Sequence, residues 1–159
     1  MPADDTPVRK SVTVPVTPDV AFRIYTEQPR EWLPPEHTFI RNPESVTFEP
    51  WAGGRFYERG ADGSEITRGT ITEWDPPERL AVTWRIGPDW QPVFDDSGAS
   101  VIVVDFALSG ANTTEVMLTY THLDRHGEMA DMIRSAISRP GPDTLDRYAE
   151  VVKRHTAQS

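Results

Sequence analysis

The chain has 159 residues, enough for one domain with a single hydrophobic core, and it contains no cysteine, which excludes disulfides, thiolate metal sites and cysteine nucleophiles. Its 16 Lys and Arg against 25 Asp and Glu give a formal net charge of -9, which disfavours nucleic acid and anionic membrane surfaces as partners. No segment is apolar enough to cross a bilayer or to act as a signal peptide, so we expect a cytoplasmic protein without membrane insertion.

The first residues predict a tail followed by a strand. Residues 1–7 are polar and interrupted by proline, so we expect a disordered tail, and we expect residues 8–157 to form one domain. Val12, Val14 and Val16 alternate with polar residues, which indicates a half-buried strand.

Two short helices are predicted next. Thr17 is a favourable N-cap residue, and Pro18 suits the first position of a helix. Pro29 ends this helix, and a second turn with the sequence Pro-Arg-Glu-Trp-Leu closes at Pro34. The predicted opening of the domain is therefore strand, helix, helix.

Residues 45–122 read as an antiparallel meander of about six or seven strands, because short alternating runs are separated by turn sequences such as Asp-Gly and Gly-Ala-Asn. On three of these strands, alternation places the following side chains on one face: Leu80, Val82, Trp84 and Ile86; Ile102, Val104, Phe106 and Leu108; Val116, Leu118, Tyr120 and His122.

Two helical patterns end the chain. The first includes Met132 and Ile137, and the second opens at Pro142 and presents Leu145 and Tyr148 on one face. A sheet with one apolar face must be covered by the helices that precede and follow it, so the sequence predicts an α+β fold.

Several motifs in this frame are typical of one protein family. They are a Gly-Gly-Arg-Phe turn at residues 53–56, the hairpin Gly-Thr-Ile-Thr-Glu-Trp-Asp-Pro-Pro-Glu-Arg-Leu at residues 69–80, the strand end Thr-Tyr-Thr-His at residues 119–122 and the final helix Leu-Asp-Arg-Tyr-Ala-Glu-Val-Val-Lys-Arg. Their order over nearly the whole chain resembles the SRPBCC or START-like superfamily, in particular its AHSA-type branch, named for heat-shock-protein ATPase activator homologues. The resemblance implies a helix-grip fold, in which a curved antiparallel sheet wraps around a long C-terminal helix and leaves an apolar cavity between them.

The sequence departs from the family pattern at the last helix. Members often carry a tryptophan after the glycine that opens this helix, whereas here Gly141 is followed by Pro142. We expect the pocket either to be wider at this point or to be filled by Met132 and Ile137.

The residues expected to bind a ligand lie on the inner sheet face, on the helices or in the connecting segments: Trp32, Phe39, Phe56, Trp84, Trp90, Phe94, Phe106, Leu118, Tyr120, His122, Met132, Leu145 and Tyr148. His122 has the inward parity of Tyr120, so we expect its imidazole either to face the cavity or to bond backbone near the strand end. No constellation of catalytic residues stands out, and His122 and Tyr120 are the candidates for proton transfer. The histidine spacing indicates no metal site, and no phosphate loop or dinucleotide fingerprint indicates a cofactor.

Three functions are compatible with these features. The first is a noncatalytic carrier or sensor of a small hydrophobic molecule such as a lipid, a polyketide or an aromatic compound. The second is an enzyme like the polyketide cyclases and dehydratases, with His122 and Tyr120 moving protons. The third is a protein-interaction or cochaperone-like module, or a homodimer, which the outward-facing Val101 and Val103 favour. In each ligand-binding case, the connection at residues 87–98 is expected to act as a flap at the cavity mouth.

Overall fold

The structure is a computed structural model that describes residues 7–33, 38–85, 99–123, 125–126, 130–138 and 144–157. In these segments the strands are β1 (Val8–Val14), β2 (Ser45–Phe48), β3 (Arg55–Arg59), β4 (Glu65–Asp75), β5 (Arg79–Trp84), β6 (Ser100–Gly110) and β7 (Thr113–Thr121). The helices are α1 (Pro18–Glu27), α2 (Pro29–Trp32), α3 (Ala130–Ser138) and α4 (Thr144–Ala157). The predicted tail, apart from Pro7, lies outside the described residues, as do the predicted flap, Ile86 and the Gly141-Pro142 step.

The strands form a curled antiparallel sheet in the order β1-β7-β6-β5-β4-β3-β2. The sequence neighbours β1 and β2 therefore lie at opposite edges, and α1 and α2 connect the two edges. Irregular pairing between Phe56 and Tyr57 and between Ile71 and Glu73 marks bulges, which increase local twist and bend the sheet. This arrangement confirms the predicted α+β helix-grip fold with seven strands.

The glycine that begins the family hairpin is required by a close approach of two strands. A Cβ atom on Gly69 would lie 1.8 Å from the carbonyl oxygen of Thr83, so no other residue fits without moving the backbone. Next to this close approach, the Thr83 hydroxyl accepts a hydrogen bond of 2.7 Å from the backbone N–H of Thr70. The hydroxyl thereby gives the backbone N–H of Thr70 an acceptor.

Helix α1 begins as predicted but is capped differently. Thr17 has the extended backbone of an N-cap and Pro18 occupies the first helical position, but the Thr17 hydroxyl donates to the carboxylate of Asp19 and accepts no capping hydrogen bond from a backbone N–H. The helix buries Phe22 and Tyr25 against the sheet.

Helix α4 closes the open side of the sheet. Leu145 and Tyr148 are buried, as predicted, and so is Val152. The helix lies against β1, α1 and α2. The Tyr148 hydroxyl donates a 2.7 Å hydrogen bond to the carbonyl of Ala21, which fastens α4 to α1. Among the described residues, no helix is long and apolar enough to span a membrane.

The buried inner face of the sheet does not extend to both ends of the strands whose alternation predicted it. Leu108 is 62% exposed, because β6 runs past the part of the sheet that the helices cover. Met132 is 56% exposed, so the expectation that its side chain fills the pocket near the start of the last helix is wrong. Ile137, on the same helix, is partly buried against the core. Val101 and Val103 are partly exposed, and the dimer they suggested stays a prediction.

The buried position of Leu145, which is 3% exposed, predicts a large effect of truncation. Leu145→Ala should lower the free energy of unfolding by about 2 to 5 kcal/mol, because it leaves a cavity between α4 and the core. Met132→Ala is the matched control and should cost less than about 0.5 kcal/mol, because that side chain is already in water. Urea denaturation measures both, and a similar small loss for the two variants would contradict the placement of α4.

Candidate functional site

The predicted position of His122 is wrong. Strand β7 ends at Thr121, and His122 adopts a left-handed backbone with φ of 58° and is exposed. A residue in this region breaks the alternation of a strand, so strand parity no longer applies to it. Leu123, the next residue, is 1% exposed and takes the inward position instead.

The turn that follows brings a different histidine to the inner face. The backbone N–H of Arg125 donates to the carbonyl of His122, and the Arg125 guanidinium donates to the carbonyl of Ala99. These bonds hold the turn against the start of β6. As a result, the Nε2 atom of His126 lies 2.7 Å from the hydroxyl of Ser100, a residue that is fully buried.

His126 belongs to a cluster at one end of the sheet. Its ring lies edge-on to Trp84, with 5.9 Å between the centroids, and Trp84 lies 5.9 Å from the ring of Tyr120. Ser100 pairs directly with Trp84 across β5 and β6. We call Trp84, Ser100, Tyr120 and His126 the Trp84 cluster. It combines two aromatic rings with a hydroxyl and an imidazole, of which Trp84 and His126 are partly exposed.

Most of the other predicted ligand-binding residues pack against one another in the interior. Tyr25 stacks on Trp32 at 4.5 Å between centroids and meets the ring of Tyr148 edge-on at 5.4 Å. Phe48 and Phe56 stack in parallel at 3.9 Å. The same core contains Phe106, Leu118 and Leu145. Trp90 and Phe94 lie outside the described residues.

The interior also holds an ion pair that sequence analysis missed. The Arg68 guanidinium donates to the Glu58 carboxylate, and Glu58 is fully buried. The backbone N–H groups of Phe39 and Ile40 also donate to this carboxylate, at 2.8 to 2.9 Å. Burial lowers the pKa of Arg68, and the charge of Glu58 opposes that effect.

Arg68 is enclosed by aromatic rings. Its guanidinium carbon lies 5.0 Å from the ring centroid of Phe39 and 5.5 Å from that of Phe56. Phe39, predicted to bind a ligand, is thus partly buried against the arginine. The strand pattern did contain a signal for this ion pair, since Glu58 and Arg68 share the inward parity of Phe56 and Ile66. Charged residues are mostly exposed in proteins, so such positions are usually interpreted as solvated.

The phenols of the interior are neutral. Burial raises the pKa of Tyr25 and of Tyr148 well above the ordinary value. For Tyr25, the positive charge of Arg68 acts in the opposite direction but is the smallest of the contributions. Both hydroxyls are therefore hydrogen-bond donors at neutral pH.

An open cleft of about 590 Å³ lies elsewhere, between α1, the end of β2 and the β4–β5 connection. Its apolar walls include Phe22, Phe48, Trp74, Pro76 and Pro77. The cleft shares no residue with the Trp84 cluster. In the segments that the structure covers, no three His, Asp or Glu side chains are grouped so that they could hold a metal ion.

Residues 15–150 match the family model for activator of Hsp90 ATPase homolog 1-like protein, and the chain therefore belongs to this family, as its motifs predicted. An anthrahydroquino-gamma-pyrone synthase, Txn09, solved as a complex, is 46% identical over 95% of this chain and 99% of its own, with a TM-score of 0.65. CalC, a self-sacrificing resistance protein from Micromonospora echinospora, is 28% identical over 98% of this chain and 99% of its own, with a TM-score of 0.68. Protein NE0264 from Nitrosomonas europaea, at 16% identity, covers 95% of this chain and 96% of its own with a TM-score of 0.66, which shows the fold alone. No curated protein matches the sequence.

The buried ion pair predicts an asymmetric response to mutation. Arg68→Met should lower the free energy of unfolding by about 3 to 5 kcal/mol, because it leaves the Glu58 carboxylate charged and buried. Adding Glu58→Gln should restore part of this loss, because the amide oxygen still accepts from the backbone of residues 39–40 without a buried charge. Thermodynamic double-mutant analysis measures the recovery, and strictly additive losses would contradict a coupled interior pair.

Proposed function

We propose that the protein binds a small, flat aromatic molecule of the polyketide type at the Trp84 cluster. The observation that carries this proposal is the cluster itself, in which Trp84, a partly exposed residue, contacts the rings of both Tyr120 and His126 on the inner sheet face. Aromatic walls with a few convergent polar groups are typical of small-molecule sites.

The relatives support the same class of ligand. The name of Txn09 describes a product with fused aromatic rings, and the likeness at 46% identity extends over 95% of this chain. Because that likeness covers the sheet and the helices alike, we take polycyclic aromatic compounds as the first class to test. A carrier or sensor needs nothing beyond this binding surface.

A second candidate function is ring closure on the bound molecule. The pairing of His126 with Ser100 favours it, because an imidazole held by a hydrogen bond can take or give a proton near neutral pH. In this role His126 would exchange the proton and Tyr120 would orient an oxygen of the ligand. This enzyme hypothesis replaces His122, which is exposed, with His126.

The variant His126→Gln separates the two candidate functions. For a carrier, affinity should change by about 1 kcal/mol or less, since glutamine still forms hydrogen bonds. For an enzyme, conversion should fall by roughly a hundredfold to ten-thousandfold while binding persists. His122→Gln is the matched control and should change neither property, because His122 is exposed at the strand end.

Calorimetric titration with alizarin, a flat molecule of three fused rings, measures binding. Product analysis with any molecule that native mass spectrometry finds copurified measures conversion, since alizarin itself has no open chain to close. Conversion by the wild type that His126→Gln abolishes would establish the enzyme. Absence of saturable binding by the wild type would contradict both functions.

A further inference from the structure

The open cleft between α1, the end of β2 and the β4–β5 connection lies at the other end of the sheet from the Trp84 cluster. Trp74 borders this cleft and pairs with Leu80 at the start of β5, whereas Trp84 pairs with Ser100 at the end of β5. The four residue steps from Leu80 to Trp84 correspond to about 13 Å along the strand. The cleft is therefore separate from the cluster, and its volume of about 590 Å³ suits a small ligand.

The apolar walls of the cleft are held in place by the core. Trp74 meets Phe22 edge-on, with 5.1 Å between the ring centroids, and Phe22 packs edge-on against Phe106 at 5.2 Å. Phe22 and Phe48 belong to the buried core and also line the cleft. Because these rings already have core partners, the walls can receive a flat apolar group without rearranging.

Among the described residues that line the cleft, the hydrogen-bonding groups are mainly acceptors. Pro50, Pro76 and Pro77 have no backbone N–H to offer a ligand. The Thr26 hydroxyl donates its proton to the carbonyl of Phe22 at 2.9 Å, so it can only accept a hydrogen bond from a ligand. The cleft is therefore suited to a ligand that brings its own donors.

The charges on α1 favour a cation in the cleft. Asp19, Arg23 and Glu27 line it at four-residue spacing, so a carboxylate flanks the guanidinium on either side along the helix. Arg23 already pairs with Glu27, with 3.8 Å between Nε and Oε2. An anion that approaches Arg23 meets two like charges, whereas a cation meets two opposite charges and one like charge. The formal net charge of the chain, -9, acts in the same direction.

We propose that this cleft is a second binding site, which takes an aromatic cation with its flat body against Trp74 and an ammonium or amidinium group at the carboxylates of Asp19 and Glu27. Such a group supplies hydrogen-bond donors, and its positive charge is attracted both by the carboxylates and by the faces of aromatic rings. The inference goes beyond the proposed function, because it concerns different residues and a different class of ligand.

Three naphthalene derivatives of similar size test this site. Naphthylmethylamine is a cation at neutral pH, naphthylmethanol is neutral and naphthoate is an anion. We expect the wild type to bind the amine most tightly, with the amide shifts of a two-dimensional NMR titration concentrated in α1 and around Trp74. Higher ionic strength should weaken binding of the amine relative to the alcohol, because salt screens exposed charges.

Two double variants distinguish the cleft from the overall charge. Asp19→Asn with Glu27→Gln removes both carboxylates at exposed positions, so the fold should persist. This variant should bind the amine about tenfold more weakly and the alcohol as before. Asp131→Asn with Glu150→Gln is the matched control, since it changes the net charge equally at exposed acids that do not line the cleft. The control should keep the wild-type affinity for both probes.

Several results would overturn the inference. Unchanged amine affinity without the carboxylates of Asp19 and Glu27 would do so, and so would an equal loss in the control, since net charge alone would then explain the binding. Naphthoate binding as tight as amine binding, amide shifts confined to the Trp84 cluster, or no amine binding by the wild type would overturn it as well. Alizarin binding at the Trp84 cluster is a separate measurement, so either site can fail while the other stands.

Discussion

The ion pair between Glu58 and Arg68 is the constraint on which the sheet interior depends. A carboxylate and a guanidinium withdrawn from water need each other and further hydrogen bonds to remain charged. Glu58 obtains these bonds from the backbone of residues 39–40, so the pair joins β3, β4 and the segment that follows α2. Removal of either charge would therefore disturb three separate parts of the chain.

The aromatic layer is arranged around this pair. The rings of Phe39 and Phe56 face the guanidinium, and Phe48 carries the stack on towards Tyr25. The Tyr148 hydroxyl donates a hydrogen bond to a backbone carbonyl of α1, and the Arg147 guanidinium donates one to the carbonyl of Trp32 in α2. Through these bonds, α4 and the first two helices hold the aromatic layer from the side opposite the ion pair. The interior is thus closely packed at its centre, while the Trp84 cluster lies at one end, where the residues Trp84 and His126 stay partly exposed.

Sequence periodicity predicted the fold and the core well, because regular alternation continues wherever the backbone stays regular. Val104 and Leu118 pair on the inner face as their parity requires, and Tyr148 is buried on the predicted face of α4. The prediction failed where the backbone becomes irregular. After β7, the left-handed backbone of His122 turns its own side chain outward, and the turn that follows brings His126 inward. No pattern of apolar residues indicates such a turn. The polar residues Glu58 and Arg68 were missed because their partners are distant in sequence or belong to the backbone.

The order of the strands also determines when the protein can fold. Strand β1 pairs with β7, and each of its residues lies at least one hundred positions from its partner, with Val8 opposite Tyr120 and Val14 opposite Thr114. The edge strand synthesised first must therefore wait for the last strand before its backbone groups are satisfied. On the ribosome, the growing chain cannot complete its sheet until β7 has emerged, which ends at Thr121 of the 159 residues. During that interval, the apolar face of β1 is exposed to chaperones and to neighbouring nascent chains.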